Sequence, residues 1–161
     1  ESIPAEAVEL TKAEAQKAQE AREQAEAEAK RKAEEEAARK AAEEAARAQI
    51  AAEDQKLLAS IIFCEAGNQP YEGQVAVGAV IMNRVRSSYF PNTVSGVIYQ
   101  GGQFSPVASG RLAYRLEQGV ASDCMSAAQA VLGGTSTTNC LYFRVNNGII
   151  EGTVIGNHVF Y

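Results

Sequence analysis

Residues 57–84 read LLASIIFCEAGNQPYEGQVAVGAVIMNR, and the way this stretch spaces its apolar residues decides the fold. Leu57, Leu58, Ile61, Ile62 and Glu65 fall along one stripe of a helix that Gly67 ends, with Asp54 placed to cap its start. A second helix follows, with Pro70 at its first turn and Glu72 complementing the positive end of its dipole. Its run from Val75 to Met82, closed by Asn83 and Arg84, is apolar on every side, so it belongs at the centre of a domain.

Downstream, Thr93 to Gln100 reads as a short helix. Gly101 and Gly102 then open a loop holding Gln103, Phe104, Ser105 and Pro106, which has the composition of a cleft wall. Ser122 or Asp123 caps another helix that Gly133 and Gly134 stop near Leu132. Leu141, Phe143 and Val145 alternate with Tyr142 and Arg144 as in a strand. Asn147-Gly148 is a hairpin-turn signal, and His158 to Tyr161 supplies a closing strand. The expected fold is a mostly helical α+β domain with a small antiparallel sheet over residues 57–161, preceded by a long charged single helix over residues 1–56.

Upstream the chain changes character. Residues 1–56 hold 10 Lys or Arg against 15 Asp or Glu and no aromatic residue, whereas residues 57–161 hold 5 of each sign and all eleven aromatics. From Ala5 to Asp54 there is no Gly or Pro, and Ala, Glu, Lys, Arg and Gln dominate, so a helix is strongly favoured. Acidic residues precede basic ones by four at Glu26/Lys30, Glu28/Lys32, Glu35/Arg39, Glu36/Lys40 and Glu43/Arg47, the favoured orientation. Large apolar residues are too few for a strong coiled-coil seam, which leaves a spacer with at most weak self-association through residues 5–54. A neutral domain behind an acidic helix gives no face suited to nucleic acid. No apolar run is long enough to span a bilayer. The first residue is Glu1 rather than Met, as in a processed or trimmed chain, so an export signal would lie upstream of this sequence.

The three cysteines include no C-x-x-C pair and there is only one histidine, so zinc-ligand spacing is missing and no metal or other cofactor is expected. Cys124 and Cys140 either close a short loop through a disulfide or, with Cys64, remain buried thiols. Of five carboxylates in the domain, Glu72 and Asp123 have structural work at helix starts, and Glu117 and Glu151 lie in polar surroundings. Glu65 alone sits on an apolar stripe, where lost hydration raises its pKa and holds the proton that a general acid needs.

The stretch FCEAGNQPYEGQVAVGAVIMNRVRSSYFPNTVSGVIYQGGQFSPVASG, from Phe63 to Gly110, closely resembles the SleB-type cell wall hydrolase family. The later stretches AAQAVLGGT, CLYF and IGNHVFY resemble the rest of that domain in the same order, while Cys64 stands where members often carry Gly. The resemblance implies a lysozyme-like lytic transglycosylase fold acting on peptidoglycan, outside the cytoplasm, at a cell wall or spore. It also implies that Glu65 is catalytic and that the substrate groove lies near Phe104, Tyr142 and His158. With the cleft-wall loop and the neighbouring acid, the set expected to face substrate is Glu72, Gln103, Phe104, Ser105, Tyr142 and His158.

Three alternatives stay open. Water would replace the sugar's own hydroxyl in a hydrolase, commonly with a second carboxylate, for which Glu72 is the neighbour in sequence. A Cys64 thiolate with His158 as base would instead cut peptide stems. A wall-binding adaptor would keep the fold without catalysis.

Overall fold

A computed structural model describes residues 4–161. Helix α1 runs unbroken from Ala5 to Ala66, so Asp54 caps nothing, because no residue on either side of it interrupts the backbone ladder. By compactness the chain divides into Glu1–Ala48 and Gln49–Tyr161, earlier than the boundary expected at residue 57. In the first unit Glu28–Lys32 (2.9 Å) and Glu36–Lys40 (3.1 Å) pair as expected. Glu35 and Glu43 instead reach back to Arg31 (3.2 Å) and Arg39 (2.9 Å). All four pairs are exposed, so each adds about 0.3–0.5 kcal/mol at most.

In the second unit, α2 (Tyr71–Arg86) is the central element, buried without interruption from Gly73 to Ile81. Around it lie α3 (Val94–Ile98), α4 (Ser105–Ala108), α5 (Arg111–Gln118) and α6 (Ser122–Leu132). Thr93 caps α3 by accepting from Gly96 N (3.0 Å), whereas α6 starts after Ala121 with Asp123 already inside its first turn. There Asp123 accepts from Gln74 Nε2 (2.8 Å) and Cys124 N (2.9 Å), tying α6 to the buried Gln74 of α2. The core joins Leu58, Ile61 and Ile62 of α1, Val77, Val80 and Ile81 of α2, Ile98 of α3, Val131 of α6 and Phe160.

Gly78 sets how closely α2 approaches its neighbours. A Cβ there would lie 3.0 Å from Val131 Cγ2 and 3.1 Å from Ile62 Cδ1. Gly78→Val is therefore expected to destabilise the domain by about 2 kcal/mol through overpacking. A lower urea midpoint at unchanged m-value checks it.

The sheet contains β1 (Phe143–Val145), β2 (Thr153–Ile155) and β3 (His158–Phe160) in the order β1-β3-β2, antiparallel throughout. Asn147-Gly148 does not form the expected hairpin. Asn146 and Asn147 bend the loop themselves, their side-chain oxygens accepting from Gly148 N (3.0 Å) and Ile149 N (3.1 Å). The tight turn is Gly156-Asn157, where Gly156 has φ +58° and Ile155 pairs with His158.

The proposed Cys124–Cys140 bridge is absent: all three cysteines are free thiols. Cys124 follows the Asp123 that binds Gln74, whereas the Cys140 carbonyl accepts from Asn83 Nδ2 (3.0 Å). Those anchors lie nine positions apart along α2, so the two cysteines are tied to different turns of that helix. Among the described residues no helix is long and apolar enough to cross a membrane, and no cluster of His, Cys, Asp or Glu is arranged to hold a metal ion.

Candidate active site

Glu65 occupies the last turn of α1, half-buried. It opens onto a cleft of about 260 Å³ lined by Arg84 of α2, Gly102 to Ser105, Phe143 to Val145 of β1, and His158 of β3. Burial pushes the Glu65 carboxyl above the usual carboxylate range, and the Arg111 guanidinium opposes this only in part. Among the residues lining the cleft Glu65 is the one carboxylate.

Arg84 organises the opposite wall. It is 5% exposed, yet its Nε donates to the Leu141 carbonyl (2.7 Å) and its Nη1 to Gln103 Oε1 (3.0 Å). Its guanidinium also lies over the rings of Phe90 (4.9 Å), Tyr142 (5.2 Å) and Phe104 (5.6 Å). One side chain thus joins the Gly101-Gly102 loop to the start of β1, with aromatic faces in place of a carboxylate partner. The sequence reading named Arg84 only as the end of a helix. Nothing in the spacing of an Asn-Arg pair separates a clamp from a solvated helix end.

His158 is buried, packed edge-on to Phe143 (5.4 Å between centroids) and near Phe160 (6.3 Å). Burial lowers its pKa, which favours the neutral imidazole, and its buried Nδ1 has no hydrogen-bond partner among the described residues. Gly102, Phe104 and Ser105 also line a second concavity of about 430 Å³, together with Tyr99, Gln100 and Val107. There the buried Gln100 Oε1 is also unpartnered.

Of the residues expected at the site, the structure brings together Glu65, Gln103, Phe104, Ser105 and His158. It leaves out two. Glu72 is solvent-exposed on the first turn of α2, and Tyr142 stacks on Tyr161 (5.6 Å, 16° between planes) behind Arg84. Cys64 and His158 line different depressions, and burial raises the Cys64 thiol, so a thiolate–imidazole pair lacks both its geometry and its acidity.

Residues 68–161 match the cell wall hydrolase family. The chain belongs to this family. It is 36% identical to a spore cortex-lytic enzyme of Oceanobacillus iheyensis over 66% of its own length and 41% of that enzyme. Among solved structures it resembles the catalytic domain of the germination-specific lytic transglycosylase SleB of Bacillus anthracis at 34% identity and a TM-score of 0.58, covering 66% of this chain and 92% of that one. The catalytic domain of the Bacillus cereus SleB protein matches at 35% identity and the same TM-score, covering 66% of this chain and 88% of that one. The fold is therefore the lytic transglycosylase-like one expected. The chain spans less than half the length of the spore cortex-lytic enzymes it matches first.

Proposed function

We propose that the protein cuts the glycan strands of peptidoglycan, outside the cytoplasm, between N-acetylmuramic acid and N-acetylglucosamine, and that it does so as a lytic transglycosylase. The observation that carries this reading is a single carboxyl, Glu65, pushed by burial above the usual carboxylate range, in a cleft whose other lining residues are neutral or cationic. Glu65 gives its proton to the glycosidic oxygen as the bond to the muramic acid C1 breaks through an oxocarbenium-like state. The resulting carboxylate takes the proton of the muramic acid 6-hydroxyl as that oxygen bonds to C1. The products are a free 4-hydroxyl and a 1,6-anhydro end, no water is consumed, and Glu65 is reprotonated.

A hydrolase of the two-carboxylate kind needs a second acid across the cleft, and exposed Glu72 on α2 is not among the residues lining it. Gln103, Ser105 and the His158 imidazole supply polar contacts for the sugar, with Phe104 and Phe143 as apolar walls. Digestion of purified peptidoglycan followed by mass spectrometry of the released fragments tests the reading. Anhydro ends are expected, reducing ends would replace transglycosylation by hydrolysis, and no release would leave only a wall-binding role.

A further inference from the structure

Beside Glu65 on α1, but facing a different depression, Cys64 and Phe63 form one side of a concavity of about 340 Å³. Ser109, Gly110, Arg111, Tyr114 and Arg115 complete it. Arg111 and Arg115 stand four apart on α5, hence on one face, where two like charges destabilise a helix. Neither has an ion-pair partner among the described residues, whereas the first unit of the same chain forms four ion pairs along α1.

Both guanidinium groups are nevertheless held in place. Arg115 lies over the rings of Phe63 (4.3 Å) and Tyr114 (5.3 Å), and Arg111 Nη2 donates to the Cys64 carbonyl in the last turns of α1 (2.8 Å). Stacking and one carbonyl leave most of their ten N–H donors free, already oriented and short of an anion. Cys64 lines the concavity and Glu65, the next residue of α1, lines the cleft, so the two depressions meet at the last turns of one helix.

From this geometry we infer that the Arg111/Arg115 concavity is a carboxylate-binding subsite, which takes a stem-peptide carboxylate of the strand whose sugar linkage lies at Glu65. The inference rests on the reading of the chain as acting on peptidoglycan. A glycan backbone offers neutral rings to the cleft, and its peptide branches carry carboxylates to one side. The cleft offers Gln103, Ser105 and two phenylalanines to the sugar, with its Arg84 already engaged by Leu141 and Gln103, and the dicationic pocket beside it matches that division. Arg is suited to it because its planar fork pairs with a carboxylate through two parallel hydrogen bonds.

The test uses the full chain carrying Glu65→Gln, which binds without cutting. It is sedimented with sacculi freed of wall teichoic acid, either intact or with their stem carboxyls converted to amides by carbodiimide and ammonia. Binding to intact sacculi is expected to be about tenfold tighter, the ratio for one charge-assisted contact at a partly exposed site. Adding Arg111→Gln and Arg115→Gln should bring the ratio close to one, while Arg115→Lys should keep part of it, with melting curves confirming that each variant is folded. Equal binding to both preparations, or a preference that survives loss of both arginines, would overturn the subsite. So would a preference seen only on walls that retain teichoic acid. The two readings fail separately. Anhydro ends from the unmodified chain together with equal binding sink the subsite alone, and a retained preference without glycan release sinks the cleavage reading alone.

Discussion

Glu65→Gln is expected to lower the rate of glycan release by about a thousandfold, the middle of the range for loss of a positioned general acid, while leaving the fold intact. The amide keeps the volume and polarity of the side chain and removes only the proton that can be given away. The same substitution is expected to raise thermal stability at neutral pH. The folded protein holds the Glu65 proton more tightly than the unfolded chain does, because burial penalises the charged carboxylate. As pH rises from below the unfolded carboxyl's range through the folded one, the unmodified protein loses stability and the glutamine variant, which does not titrate, keeps it. Melting temperatures measured from acid to neutral pH should therefore diverge with increasing pH and then run parallel. Activity of the unmodified protein should fall along its alkaline limb over that upper range. A variant that releases glycan at the unmodified rate would remove Glu65 from the chemistry, and one that melts lower at neutral pH would contradict the buried-acid account.

Arg84→Ala is expected to have the largest effect on stability, about 3 kcal/mol. It leaves the half-buried Leu141 carbonyl and Gln103 Oε1 without their donor, removes the cation from three aromatic faces and empties the space of a buried side chain. Arg84→Lys restores charge but not the fork, so it should recover only part of the loss. Because Arg84 fixes both the loop of Gln103 to Ser105 and the entry to β1, glycan release should drop further than the unfolded fraction accounts for. Urea unfolding together with initial rates at a temperature where both variants are folded separates the two effects.

The parts of this molecule that could be read from sequence are those where local chemistry and tertiary packing agree. The apolar run from Val75 to Met82 announces a central helix, and it is one; Thr93 and Pro70 mark helix starts, and the structure uses both. The misreadings share a cause, which is that a local signal had a partner the sequence does not reveal. Asp54 is a good cap residue in a segment where nothing stops the helix. Asn147-Gly148 is a good hairpin turn, but the two asparagine side chains satisfy the loop instead. Helix α5 is only eight residues long, with Leu112 and Leu116 as its large aliphatic residues, and its place depends on contacts with α1 that are distant in sequence. At the site, elimination among five carboxylates left Glu65 as the one without structural work, the family resemblance added to that, and Glu65 is the carboxylate that lines the cleft. Arg84 was not legible, since its role comes from meeting Leu141 and Gln103 across the fold.

The strand order β1-β3-β2 constrains how the molecule is made. The two outer strands come off the ribosome first and have no hydrogen bonds to each other, so neither has a partner until the last-synthesised strand threads between them. That strand also brings the cleft its imidazole. A nascent chain stopped just short of residue 158 would hold Glu65 in a finished helix and yet lack both the partner of β1 and the imidazole of the cleft. Cutting ability should therefore emerge abruptly during synthesis, and nested C-terminal deletions should lose it in one step rather than by degrees.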